Sequence, residues 1–251
     1  MMPAGSTGND ALRNAIPRLA GAGVPDPATD ARHLLAHAMQ IGLDRLTLHL
    51  PDVMTDQARA RYADALQARM ARQPVAQITG TRAFWGRDFR VTRDTLDPRP
   101  ETEVLVAEAV SRPFLKVLDL GTGTGCILLS CLGSMPMAVG LGVDISDAAL
   151  EVARDNAERN HCSIAYFEPE DFGSVRPDTV YDVVAANILS GPLKLMAPML
   201  CGRVKPGGAL VLSGVLARQA DEVIAAYASR IRLSVWAERE GWVALAGRLD
   251  N

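Results

Sequence analysis

The stretch Lys116-Val117-Leu118-Asp119-Leu120-Gly121-Thr122-Gly123-Thr124-Gly125 decides the fold. A short apolar run ends in an acid, and alternating glycines follow. That pattern is a strand feeding a tight turn into a helix. Glycine reaches positive φ and carries no Cβ, so the backbone can bend sharply and approach a ligand closely. In an open α/β sheet the ligand lies in the crevice beyond the carboxyl ends of the strands. A second strand ending in an acid follows: Ala138-Val139-Gly140-Leu141-Gly142-Val143-Asp144. Asp144 comes 19 residues after Gly125. That is close to the ~20-residue spacing at which a second-strand carboxylate meets a ribose hydroxyl.

Outward from this pair, strands and helices alternate. Strands are expected near 115–120, 138–144, 163–167, 180–186, 208–214, 230–237 and 241–248. Helices are expected near 124–133, 146–160, 191–203 and 216–228. The last two strands follow each other through Ala237–Gly241, as an antiparallel hairpin at a sheet edge would. The expected fold is a doubly wound, mostly parallel α/β sheet of seven strands.

The front of the chain has a different texture. From Asp10 to about Arg72 no strand is convincing. Asp10 is expected to cap a first helix, with Pro17 arguing against a regular one. Pro27–Gln40 and Thr55–Arg72 read as amphipathic helices, the second opened by a capping Thr. The aromatic and β-branched run Gln77–Val91 reads as a hairpin. In Leu96-Asp97-Pro98-Arg99-Pro100-Glu101-Thr102-Glu103 two prolines stiffen an extended approach, and a helix from Glu101 or Thr102 runs to about Ser111. The expected domains are a helical module at 1–73, a hairpin linker at 74–98 and an α/β domain at 99–251.

Composition narrows the classes. With 48% hydrophobic and 22% charged residues, 251 residues can build an ordinary globular core. No run approaches the ~18 apolar residues of a membrane span. The start lacks a basic segment followed by an apolar one, so no secretory signal is expected. Cys126, Cys131, Cys162 and Cys201 form no Cys-x-x-Cys pair and read as reduced thiols of a cytoplasmic protein. His33 and His37 lack a third ligand, so no metal site is expected. The net charge of −3 does not suggest DNA binding. It is unevenly spread: residues 56–93 hold eight Arg against three Asp. Either a solvated basic face or a surface for an acidic partner would look this way. A monomer is expected.

Asp119-Leu-Gly-Thr-Gly-Thr-Gly125 with Asp144 and the seven-strand pattern resembles a class I S-adenosylmethionine-dependent methyltransferase. By that resemblance the cofactor is S-adenosyl-L-methionine. Asp119, Gly121, Thr122, Gly123, Thr124 and Gly125 would hold its methionine end. Asp144 would accept from the ribose hydroxyls, and Asp171 and Phe172 would hold the adenine. An NAD-type dehydrogenase is the fold-level rival, but it would show Gly-x-Gly-x-x-Gly where this chain has Gly-x-Gly-x-Gly.

The front half, with Pro74-Val75-Ala76-Gln77-Ile78-Thr79-Gly80, Phe84-Trp85-Gly86 and Pro98-Arg99-Pro100-Glu101-Thr102-Glu103, resembles the release factor glutamine methyltransferases (HemK/PrmC family) over about residues 30–160. The resemblance implies methylation of the side-chain amide in the Gly-Gly-Gln loop of peptide chain release factors. The helical module would dock the factor. That family carries Asn-Pro-Pro-Tyr after the fourth strand. Here Asn187-Ile188-Leu189-Ser190 stands in its place. Asn187 would be the catalytic residue and touch both cofactor and substrate. Ile188 and Arg99 would complete the substrate site. Two proline-fixed φ angles and an aromatic wall are missing.

The replacement has its own likeness. Asn187–Leu193, Val204-Lys205-Pro206-Gly207-Gly208, Leu212–Ala217 and Glu240–Leu245 resemble the ribosomal protein methyltransferases of the PrmA family, over about 180–248. These modify lysine and N-terminal amines. The front and back halves thus resemble different families, as recombination would produce. Three functions follow: glutamine methylation of release factors, amine methylation of a ribosomal protein, or binding of cofactor and release factor without turnover.

Overall fold

The computed structural model describes residues 3–169 and 179–250. The chain divides into two compact units, Met1–Thr81 and Arg82–Asn251.

The first unit is helical: α1 (Gly8–Gly21), α2 (Pro27–Met39), the single turn α3 (Leu46–His49), α4 (Asp56–Met70) and α5 (Val75–Thr79). Thr7, not Asp10, caps α1, and the two side chains close a reciprocal capping box with Asp10 at the third helical position. The helix runs through Pro17. Burial of Ala11, Leu12, Ala15 and Leu19 on one face outweighs the one backbone hydrogen bond that Pro17 cannot donate. Residues 75–79, expected at the edge of a hairpin, are instead a short helix. It starts after Pro74 and is stopped by Gly80 at φ +76°. Tyr62 lies at the centre of this unit's core, and its hydroxyl donates to the Ala31 carbonyl at 3.2 Å.

The hairpin that follows is shorter than expected: β1 (Thr81–Phe84) and β2 (Arg87–Arg90) around Trp85-Gly86. Both turn residues have positive φ, 51° and 69°, as a two-residue hairpin turn requires. After a 3₁₀ turn at Pro100–Thr102 come α6 (Glu103–Ala109), β3 (Lys116–Leu120), α7 (Cys126–Ser134), β4 (Val139–Asp144), α8 (Asp147–Arg159), β5 (Ala165–Pro169) and β6 (Tyr181–Asn187). Then follow α9 (Ser190–Leu195), α10 (Ala197–Arg203), β7 (Val204–Leu216), α11 (Ala220–Tyr227), β8 (Ser234–Arg239) and β9 (Trp242–Arg248). The span 191–203, expected as one helix, is two. Pro198 has no N–H to give and its ring crowds the carbonyl four residues back, so the first helix stops at Leu195.

Seven strands form one sheet in the order β5-β4-β3-β6-β7-β9-β8. β5 through β7 pair in parallel, and β9 pairs antiparallel to both β7 and β8. The central strand β3 is flanked by the strands that follow it on opposite sides. Asp119 is level with Gly142 of β4 and Ala185 of β6. This is the reversal point where a doubly wound sheet opens a crevice. One apolar cluster, with Leu118, Leu120 and Leu212, covers one face. Another, with Val117, Leu128 and Val211, covers the other and takes in Phe84 and Phe89 of the hairpin. Alternate residues of each strand feed the two clusters.

The basic stretch 56–93 is largely paired within the chain. Arg59, Arg69, Arg82, Arg90 and Arg93 lie within 4 Å of Asp56, Asp30, Asp97, Asp155 and Asp94 respectively. Surface pairs of this kind contribute little to stability. They do, however, neutralise the run. Among the described residues no helix is long and apolar enough to cross a membrane.

Asp182 on β6 ties the start of β3. Its Oδ2 accepts from the N–H groups of Leu115 and Lys116 at 2.9 and 2.8 Å, and its carboxylate pairs with Lys205. Partial burial pushes its pKa up, but the Lys205 and backbone bonds outweigh burial and hold it below the ordinary carboxylate value. A folded-state pKa below the unfolded one contributes stability above that range, and the contribution is lost as pH falls through it. Asp182→Ala is therefore expected to lower unfolding free energy at pH 7 by about 2–4 kcal/mol. The gap to wild type should narrow in acid denaturation below pH 4. A gap independent of pH would contradict the role given to this carboxylate.

Candidate active site

The glycine turn sits between the ends of β3 and β4. Gly121, Gly123 and Gly125 have φ of 72°, 54° and 78°. The N–H groups of Gly121 and Thr122 both donate to the Val143 carbonyl, at 2.9 and 3.0 Å. Asp144 completes the tie: Oδ2 accepts from the Gly123 N–H at 2.9 Å and Oδ1 from the Ser146 N–H at 3.0 Å. Each carboxylate oxygen keeps a further lone pair for a ligand.

A cavity of about 400 Å³ opens over the turn. Gly121–Thr124 form its floor, Asp144–Ser146 one wall, the loop 94–99 another, and Asn187–Leu189 a third. A second cavity of about 430 Å³ adjoins it. The two share Leu96, Arg99, Thr102, Asn187, Ile188 and Leu189, and the second adds Glu101, Ser213, Gly214 and Trp242. Asn187, at the last position of β6, thus stands between a pocket on the glycine turn and a pocket facing outward. Its Nδ2 donates to the Thr102 hydroxyl at 3.4 Å.

Most residues expected at the site come together on these walls: Gly121, Thr122, Gly123, Thr124, Asp144, Asn187, Ile188 and Arg99. Asp119 and Gly125 do not line either cavity. Asp119 is fully buried beneath the turn, where its Oδ2 accepts from the Thr122 hydroxyl at 2.7 Å and its Oδ1 has no partner. Burial pushes its pKa up to about 6, with the Thr122 bond pulling the other way. Its place is that of a support for the turn. Gly125 caps α7 instead. Asp171 and Phe172 lie outside the described residues.

Sequence reasoning missed the loop Asp94–Asp97, the residues Ile145 and Ser146 after the second acid, and Trp242. Ile145 follows an acid at a strand end and is 67% exposed. An apolar side chain left bare at the carboxyl edge of a sheet was the available signal. Cys126 also lines the first cavity. Burial holds its pKa up at about 12, so the thiol stays protonated and is no nucleophile there.

The missing prolines after Asn187 have a structural substitute. Leu189 holds φ −61° and ψ 150°, the φ that a proline would impose. Ile188 is gripped from both sides by glycines. A Cβ on Gly121 would lie 2.6 Å from Ile188 Cγ2, and one on Gly214 would lie 2.5 Å from the Ile188 carbonyl oxygen. Gly214 itself has φ +79° in a bulge of β7. Close packing does here what ring closure does in the Pro-Pro motif.

The sheet order, the glycine turn and the crevice at the reversal point define a class I methyltransferase domain. The same fold recurs in the ribosomal protein L11 methylase of Lactobacillus delbrueckii subsp. bulgaricus, with a TM-score of 0.56 at 25% identity over 62% of this chain and 83% of that one. It recurs in the O-methyltransferase TomG of Streptomyces achromogenes, solved in complex with SAM, with a TM-score of 0.52 at 10% identity over 64% of this chain and 84% of that one. The family described as ribosomal protein L11 methyltransferase (PrmA) matches residues 102–250, and the chain belongs to it. Residues 10–80 match the PrmC N-terminal domain. The PrmA match therefore reaches forward from the expected 180 to include the glycine turn.

Among curated relatives, the release factor glutamine methyltransferase of Cereibacter sphaeroides is 63% identical over 148 residues, covering 59% of this chain and 53% of that protein. The ribosomal protein L11 methyltransferase of Janthinobacterium sp. is 57% identical over 137 residues, covering 54% of this chain and 43% of that protein. The chain spans about half the length of these relatives. The methyl donor of such enzymes is S-adenosyl-L-methionine, and the glycine floor with the Asp144 wall suits it.

Two outcomes test this geometry. Asp119 has a folded pKa of about 6 against an ordinary 3.8, so it lowers stability as pH rises through that window. Wild type should lose up to about 3 kcal/mol relative to Asp119→Asn between pH 4 and pH 7 in urea unfolding. Parallel curves would contradict the buried, half-satisfied carboxylate. Gly214→Ala should displace the Ile188 peptide and cut methyl transfer at least tenfold, with S-adenosylhomocysteine affinity within threefold of wild type by calorimetry. An unchanged transfer rate would show that Gly214 does not hold the turn.

Proposed function

We propose that the chain methylates a nitrogen of a translation protein, and that the acceptor is the glutamine amide in the Gly-Gly-Gln loop of peptide chain release factors. The observation that carries this is Asn187 on the wall shared by the two cavities. The PrmC-type helical unit and the relative from Cereibacter support the choice of partner. Such partners place the enzyme in the cytoplasm, acting as a monomer on protein with no DNA or membrane involved.

An amide nitrogen is a weak nucleophile because its lone pair is delocalised into the carbonyl. The cofactor supplies a methyl group already activated by a sulfonium. The chain's task is therefore position and charge. The Asn187 side-chain oxygen accepts one amide hydrogen, and the Ile188 carbonyl, braced by Gly214, accepts the other. The nitrogen then turns its π face to the methyl group. Thr102, buried beside Asn187, keeps that side chain's NH₂ occupied so that its oxygen is the end on offer.

A second reading is methylation of an amine on a ribosomal protein. The PrmA match over residues 102–250 favours it. So does the outer cavity, where an aromatic face (Trp242) and a carboxylate (Glu101) suit a cationic side chain. An ammonium must lose a proton before transfer, against an unperturbed pKa of about 10.4.

Asn187→Ala is expected to lower transfer to the acceptor at least a hundredfold while S-adenosylhomocysteine still binds. Wild-type turnover in that variant would remove Asn187 from the chemistry. Loss of binding and transfer together would make it a cofactor residue only.

A further inference from the structure

The loop 94–99 was read as an extended approach, yet it forms a wall of the cofactor cavity. Of the carboxylates on that cavity, Asp144 has both oxygens engaged by backbone N–H groups. Asp94 is exposed and accepts from the Thr92 hydroxyl. Asp97 differs. It is only 8% exposed, and its Oδ1 is buried without a hydrogen-bond partner. The Arg82 Nε approaches to 3.7 Å, within ion-pair range but beyond hydrogen-bond range. An unfilled acceptor on a nearly buried carboxylate is costly to keep unless something fills it.

The group that fits is a cation with N–H donors, presented inside the cavity. Resting on the S-adenosylmethionine reading, we propose that Asp97 is the residue that binds the α-ammonium of the cofactor's methionyl arm. An ammonium offers three donors to match the free oxygen. The sulfonium offers none. The glycine floor supplies N–H donors for the α-carboxylate at the other end of the same arm. Arg82 then has a second function: its guanidinium keeps Asp97 ionised in a buried place. Recognition of the amino acid tail is thus divided between the turn after β3 and a loop that precedes the sheet in sequence.

The test compares two ligands. S-adenosylhomocysteine carries the ammonium; its deamino analogue, a 5′-thioadenosine with a 3-carboxypropyl arm, lacks it and keeps the carboxylate. Both are titrated by calorimetry into wild type, Asp97→Asn and Arg82→Gln. Wild type should prefer S-adenosylhomocysteine by about 10- to 100-fold. In Asp97→Asn that preference should collapse to below about threefold, with the deamino ligand bound as before. Arg82→Gln, which leaves the carboxylate in place, should retain the preference. Equal weakening of both ligands by Asp97→Asn would make Asp97 a support for the loop and overturn the assignment. A preference that survives Asp97→Asn would place the ammonium elsewhere. If wild type binds neither ligand, the cofactor reading itself fails, and the assignment with it.

Discussion

The Gly123 N–H donates to Asp144, and the Gly121 and Thr122 N–H groups donate to Val143. These bonds knot the end of β3 to the end of β4, and the site depends on that knot. The knot forces the chain through three successive left-handed glycines, which side chains at those positions would resist. It places the floor of a cavity where the sheet reverses its direction of growth. Beneath it Asp119 is spent on support, with one oxygen on Thr122 and the other unsatisfied in the core. That carboxylate costs stability at neutral pH and is kept where the turn must be stiff.

The second constraint is the strand end of β6. Asn187 is the final residue of that strand, and the backbone beyond it must run out along the cavity wall without collapsing. A Pro-Pro pair does this covalently. Here it is done by packing: Gly121 admits the Ile188 side chain and Gly214 admits the Ile188 backbone. Both contacts are possible only where no Cβ stands. A motif lost in sequence is therefore replaced in space by residues from two other strands' ends.

Much of this was legible in the sequence. The alternation of strands and helices, the seven-strand sheet with its antiparallel edge, the glycine turn and Asp144 all follow from local patterns that share one period and one turn chemistry. What was not legible depended on long-range contact. Pro17 looked like a helix breaker, but the buried face around it decides otherwise. Residues 75–79 looked like strand until Pro74 and Gly80 are seen to cap a turn of helix. Asp119 looked like a ligand because it precedes the glycines, and only burial shows that it lies beneath them. Asp97 looked like part of a linker, because nothing in its neighbours reveals that the loop folds over the turn.

The most direct measurement is a methyl-transfer assay with labelled S-adenosylmethionine. Purified release factor, its Gly-Gly-Gln variant with Gln replaced by Ala, and purified ribosomal protein are offered side by side. The account predicts label in the release factor that disappears with the Ala variant. Label in the ribosomal protein, or in neither while S-adenosylhomocysteine still binds, would contradict it.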